Sequence, residues 1–211
     1  ISVVPEACPP GFSPLYDRAA GLASAAKYGL VEPYILAVGT LQPRKNLIRL
    51  LEGFAIARRQ QGLPHALGLI GRPGRRATEV TQAIARLGLQ EAAILTGYVP
   101  AEHLPQILGA ADALAFPSLY EGFGLPALAA MACRVPVVAA RATSLPEIVG
   151  DAGLLVDPLD VEDIARGLAR VLADRALHDD LAERGYERAR KFSWERAARE
   201  TLSVLLAARS S

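Results

Sequence analysis

The decapeptide Pro117-Ser118-Leu119-Tyr120-Glu121-Gly122-Phe123-Gly124-Leu125-Pro126 joins the apolar run Ala113–Phe116 to Ala127-Leu128-Ala129-Ala130-Met131-Ala132. The first run has strand character, and the second consists of strong helix formers. Pro126 is predicted at the first helical position, where its φ is already set and its missing N–H costs no bond. The N–H groups of the turn and of the first helical residues then lack an intrahelical acceptor. A helix start of this kind binds anions, phosphate above all. Gly122 and Gly124 let the backbone come close to a ligand. A lone Gly-x-Gly also fits a plain strand-to-helix turn; the flanking Glu121 and Pro126 make this one more specific.

A second segment, Gly39-Thr40-Leu41-Gln42-Pro43-Arg44-Lys45-Asn46, follows the apolar run Ile35–Val38. Arg44 supplies a planar fork and Lys45 a point charge, which together suit a diphosphate. Both stand before a helix whose start is itself partly positive. Cations do nothing for helix stability there, so their placement points to a ligand; the alternative is a solvated basic turn.

Other motifs exclude more than they suggest. There is no Gly-x-Gly-x-x-Gly after the first strand and no Gly-x-x-x-x-Gly-Lys-Ser/Thr, which argues against a nicotinamide dinucleotide site and a P-loop. Gly71-Arg72-Pro73-Gly74-Arg75-Arg76 is glycine- and arginine-rich and fits neither pattern; a mobile surface loop is one of two readings it leaves open. Ser118 lies in no Gly-x-Ser-x-Gly elbow. His65, His103 and His178 have no metal-ligand spacing, so no metal is expected; His65 and His178 are expected on the surface. Glu147, in Leu145-Pro146-Glu147-Ile148-Val149, reads as a charge favoured at a helix start.

These loops need a scaffold. Candidate strands are Ile35–Val38, Ala66–Ile70, Ala93–Thr96, Ala113–Phe116, Val135–Ala139 and Leu154–Val156. Between them lie candidate helices Asn46–Gln60, Arg76–Leu87, Glu102–Leu108, Pro126–Met131, Leu145–Val149 and Val161–Ala173, the last capped by Asp160. Short apolar strands alternating with helices predict an α/β fold: a Rossmann-like, doubly wound parallel sheet of about six strands. Its ligand crevice lies outside the strands' carboxyl ends, where Gly39, Gly71 and Gly97 stand. Leu177–Lys191 and Trp194–Ala208 predict extra C-terminal helices, the last capped by Ser193. Residues 1–33, with Pro5, Pro9, Pro10 and Pro14, read as a linker continuing from a preceding domain, with a short helix over Ala19–Tyr28. Residues 34–211 form the domain itself.

The chain has 211 residues, 51% hydrophobic and 21% charged, enough for a substantial core. A net charge of +1 gives no global field for nucleic acid. The scattered arginines, Arg58, Arg59, Arg188 and Arg190 among them, are expected in solvent. Two cysteines, Cys8 and Cys133, suggest no disulfide framework, and the default setting is a reducing cytoplasm.

Taken together, AVGTLQPRKNLIRLLEGF, LTGYVPAEHLPQILGAADALAFPSLYEGFGLPALAAMA, VPVVAARATSLPEIVGDAGLLVDP and FSWERAARETL resemble, in order, the C-terminal half of a retaining glycosyltransferase of family four with the GT-B fold. The resemblance is to the mannosyltransferase-like branch. It implies a nucleotide-diphosphate sugar as donor, no cofactor and no metal. Arg44 and Lys45 would grip the diphosphate beside Gly39 and Thr40. Tyr98 and Val99 would line the base pocket, and Gly122, Phe123, Gly124 and Leu125 would present amides to sugar and phosphate. Glu121, the first carboxylate of the family's Glu-x7-Glu motif, would accept hydrogen bonds from sugar hydroxyls. The acceptor site would lie in an N-terminal domain, and any peripheral membrane contact would be made there. Three positions depart from the pattern. Ala129 stands where a second Glu would bind the ribose, and Thr40 where arginine is frequent. Arg134 stands where the family has glycine; a left-handed backbone there would cost arginine about 1 kcal/mol. The last helix, from Trp194 onward, would pack on the N-terminal domain; the alternative is that it folds back and completes the core of its own domain.

Overall fold

The computed structural model describes residues 1–15, 17–75 and 77–209. Six parallel strands form one sheet: β1 (Tyr34–Val38), β2 (Ala66–Ile70), β3 (Ala93–Gly97), β4 (Ala113–Phe116), β5 (Val137–Ala140) and β6 (Leu154–Val156). Their order is β3-β2-β1-β4-β5-β6, so the winding reverses between β1 and β4. Crevices of such sheets open at that reversal, outside the strands' carboxyl ends. The loops holding Arg44 and Glu121 leave those two strands.

Both faces of the sheet are covered, which explains why the strands read as continuous apolar runs. Tyr34 and Leu36 of β1 face one core, with Leu114 and Phe116 of β4. That side carries α1 (Arg18–Ala26), α4 (Leu104–Gly109), α5 (Leu125–Ala132) and α6 (Leu145–Val149). Ile35 and Ala37 face the other, beneath α2 (Leu47–Gln61), α3 (Ala77–Arg86) and α7 (Val161–Ala173). Gly53 lets α2 and α7 meet closely, since a Cβ there would stand 2.8 Å from Ile164 Cγ2. α8 (Arg175–Ala189) and α9 (Trp194–Arg209) end the chain.

Element boundaries follow the caps. Asp160 accepts from the amides of Glu162 and Asp163 and starts α7 at its expected residue. Ser193 Oγ accepts from Arg196 N at the head of α9. Pro126 is at the second helical position instead of the first, because Gly124, at φ +118°, is the N-cap and Leu125 opens the helix. Arg76, the expected start of α3, lies outside the described residues. Arg134 does adopt the left-handed region, at φ +58°. Its guanidinium lies 4.4 Å from the Tyr186 ring centroid and 3.2 Å from Glu183, contacts that offset the backbone strain.

Several surface expectations are corrected. The Gly71–Arg75 segment is tied down: Gly71 N donates to Gly97 O, Leu41 N donates to Arg72 O, and Pro73 bridges Leu41. Arg58 Nη1 donates to His65 O at 2.5 Å. Arg188 donates to Ile148 O and Glu147 O and closes the end of α6. His65 and His178 are half-buried around Asp112. Within residues 1–33, α1 packs on α4, and Ala25 and Leu30 lie in the core. α9 is the least covered element, with Leu202 at 56% and Leu205 at 62% exposure. Its anchors include Ala197 and a bond from Trp194 Nε1 to Cys8 O.

Candidate donor site

Gly39 follows β1, and the chain then turns through a short 3₁₀ segment, Pro43–Lys45. Lys45 folds back over the strand end and only 8% of its side chain is exposed. Gly39 makes room for it: a Cβ there would sit 2.7 Å from Lys45 Cε, and its φ of +142° disfavours any side chain. Lys45 Nζ lies 4.5 Å from the Phe116 ring centroid and 2.6 Å from Glu121 Oε1. Arg44 Nη1 reaches the other carboxylate oxygen, Oε2, at 2.8 Å, and the Tyr120 carbonyl at 3.2 Å. The two loops are also joined by Leu119 N donating to Arg44 O.

Two cations and one carboxylate leave this cluster with one net positive charge. Burial works against the Glu121 charge, but the Lys45 ammonium, then the Ser118 hydroxyl and Arg44, hold its pKa below the ordinary carboxylate value. Burial and the neighbouring Arg44 push Lys45 down, against the pull of Glu121.

The β4–α5 loop is held from behind. Glu121 N donates to Thr143 Oγ1, and Ser144 Oγ donates to the carbonyls of Glu121 and Phe123. The Phe123 ring packs edge-on against Phe192 at 5.9 Å. These bonds occupy the carbonyls of Glu121 and Phe123. Among the described residues, nothing accepts a hydrogen bond from the N–H groups of Gly122, Phe123, Gly124 or Leu125. Four consecutive free donors at a helix start, beside a net positive cluster, form an anion site.

The remaining expected residues divide. Thr40 is exposed beside Gly39. Tyr98 is exposed at the end of β3 and stacks under Arg72, whose guanidinium is 4.5 Å from the ring centroid. Val99 is buried. Ala129 is buried on α5 and lines an apolar cavity with Leu125 and Pro126. Glu147 is exposed in the first turn of α6. Among the described residues, no group of three or more His, Cys, Asp or Glu is placed to hold a metal ion. Burial pushes the Cys8 thiol up to about 11 and Cys133 to about 12, so neither is a nucleophile at neutral pH. No helix is long and apolar enough to cross a membrane, among the described residues.

Three positioning residues escape sequence reasoning. Asn46, at φ +59°, donates from Nδ2 to Pro117 O and Pro158 O, tying the β1 loop to those after β4 and β6. Asparagine is among the few residues that tolerate this backbone, which is the one signal available. Ser144 stands at the helix-cap position of α6 but makes no cap bond. Thr143 adopts φ +51°, unusual for a β-branched residue, while its hydroxyl holds the Glu121 amide.

Comparison with known proteins bears on this arrangement. The chain is 41% identical over 180 residues to O-antigen chain mannosyltransferase B of Escherichia coli, covering 84% of the chain and 47% of that protein. It thus spans about half the length of the curated relative it matches. It superposes with a TM-score of 0.75 on the C-terminal domain of a glycosyl transferase group 1 family protein from Francisella tularensis, at 26% identity, covering 85% of this chain and 94% of that one. With Anabaena HepE in complex with UDP and glucose the TM-score is 0.78 at 23% identity, covering 92% and 53%, a likeness of fold. The model of the family described as glycosyl transferases group 1 matches residues 26–188, most of the chain, and the chain belongs to that family.

Proposed function

We propose that this chain is the donor-binding half of a retaining, metal-independent glycosyltransferase that transfers a hexose, mannose or one like it, from a nucleotide-diphosphate sugar. The observation that carries the reading is the row of free amides from Gly122 to Leu125 beside Arg44 and Lys45. When the bond from the anomeric carbon to the diphosphate breaks, negative charge develops on the leaving oxygen. Fixed donors and cations aimed at that charge lower the barrier without rearranging. Glu121 is anchored by its two cations and keeps lone pairs for sugar hydroxyls. The loop after β3, which begins at Tyr98 and Val99 and reaches the wall of an apolar cavity at Ala101, would approach the base. The mannosyltransferase relative supports the sugar, and the UDP and glucose held by HepE support the donor class.

The acceptor and the rest of the catalytic machinery belong to the half that relatives carry and this chain does not span, so the chain alone binds donor and transfers nothing. Titration calorimetry of the full-length protein with several nucleotide-diphosphate hexoses tests donor binding. Proton NMR of the product, with and without a chelator, tests retention and metal independence. A second reading, a degenerate domain that binds nucleotide sugars weakly, is favoured by Ala129. Millimolar donor affinity with no product would support it over the first.

A further inference from the structure

An open cavity of about 400 Å³ lies beside the first turn of α5. Val38 of β1, Leu104 of α4, Leu125 and Ala129 of α5, and Pro9 and Phe12 of the N-terminal segment form much of its wall. All ten of its lining side chains, among the described residues, are hydrocarbon. Leu125 belongs both to this wall and to the row of free amides, so the cavity adjoins the anion site at that residue. A ligand held at its diphosphate by Arg44, Lys45 and those amides extends its next group into the cavity. On the donor-site reading above, that group is the nucleoside. Cavities of a few hundred Å³ are the usual size for ligands of this class.

Sites that read a hydroxyl carry a buried polar partner for it. Such a partner, left unpaired, rejects an analogue lacking the hydroxyl by about 10⁴-fold or more, whereas an apolar wall discriminates about 10²-fold at most. The wall here holds no side-chain partner for either ribose hydroxyl. We infer that this protein does not distinguish ribonucleoside from 2′-deoxyribonucleoside diphosphates: the nucleoside is held by hydrocarbon contact, and the polar recognition resides at the diphosphate. This inference rests on the donor-site reading, and its test separates the two.

The measurement is calorimetric titration of the full-length protein with matched pairs: GDP and dGDP, UDP and dUDP. The two members of a pair are expected to bind within about threefold of each other. A preference above about thirtyfold for the ribose member overturns the inference. Binding of neither member rejects the donor-site reading itself. Inorganic diphosphate binding as tightly as the nucleotides shows that the cavity holds no nucleoside, and also overturns the inference. Ala129→Glu, checked for folding by circular dichroism, places an acceptor in the wall and is expected to favour the ribose member by about tenfold, the value of a hydrogen bond to a charged group. Ala129→Ser, a smaller change, is expected to move the ratio the same way. A folded variant with an unchanged ratio overturns the assignment of the cavity.

Discussion

Two carboxylates, at opposite ends of the same sheet, collect cations from distant parts of the chain, and they do different things with them. Asp112, at the amino end of β4, bonds Arg18 through Oδ1 at 3.0 Å and the Tyr34 amide through Oδ2 at 3.1 Å, with His65 Nε2 at 3.7 Å. Its own carbonyl faces His178 Nε2. The main-chain donor nearest this carboxylate is therefore satisfied, and the cluster ties β1, β2 and α8 to the start of β4. Glu121, at the carboxyl end, binds two cations, but the amides that follow it donate to nothing among the described residues. The first network uses its main-chain donor internally and is structural, with His65 Nδ1 buried and without a partner. The second satisfies its charges and leaves its donors for something else. A buried ion pair is thus no sign of function by itself; the free donors beside it are.

The largest expected effect comes from Lys45→Met. It leaves Glu121 buried with one partner and is expected to cost about 3 kcal/mol of stability, read by urea denaturation. Nucleotide affinity should fall with it by about tenfold or more, as a charge-assisted bond is lost. The double variant with Glu121→Gln should recover most of the stability and none of the affinity. Recovery of both would mean that Lys45 serves packing alone. At the other end, Asp112→Ala is expected to cost about 2 kcal/mol by stranding the Tyr34 amide and Arg18, with nucleotide affinity unchanged. A drop in affinity there would erase the distinction between the two ends.

The ends should also separate in acid. Burial lowers the His65 pKa from its ordinary 6.5, against the pull of Asp112. Its contribution is therefore complete above pH 6.5 and is lost as pH falls through the lower folded value. Glu121 is held below 4.5, so its contribution is lost only as pH falls beneath that. His65→Gln should flatten the upper part of a stability–pH profile and Glu121→Gln the lower part; a single merged step that neither variant changes would contradict this. The smallest effect is Arg134→Gly. Relief of left-handed strain, about 1 kcal/mol, is offset by loss of the Tyr186 and Glu183 contacts, so stability should stay within about 0.5 kcal/mol.

The same contrast explains what was legible in the sequence. The site loops carry local signs: glycines at strand ends, paired cations before a helix, a proline just inside the next one. Each depends on neighbours a few residues away. The alternation of short apolar strands with helices carries the fold class, and the resemblance of four ordered segments adds the family. Asp112 carries no local sign, because its partners Arg18, Tyr34, His65 and His178 meet it only when the sheet forms; His65 and His178 accordingly read as surface. Thr143 and Ser144 carry no local sign for the same reason, since the Glu121 backbone they bond lies 22 and 23 residues away. Arg134 was legible because a helix end imposes its own backbone geometry.

Asn46 has a kinetic consequence. Its bonds to Pro117 and Pro158 span 71 and 112 residues of chain, and the Lys45–Glu121 pair spans 76. Closing such long loops is slow and entropically costly until the intervening strands have paired. A chain with only β1, β2 and β3 in place has Arg44 and Lys45 but no Glu121 opposite them and no α5 amides. The anion site therefore forms only once β4 and α5 have joined β1. Whatever binds it draws the equilibrium toward the complete fold by mass action, and the midpoint of thermal unfolding rises with its concentration.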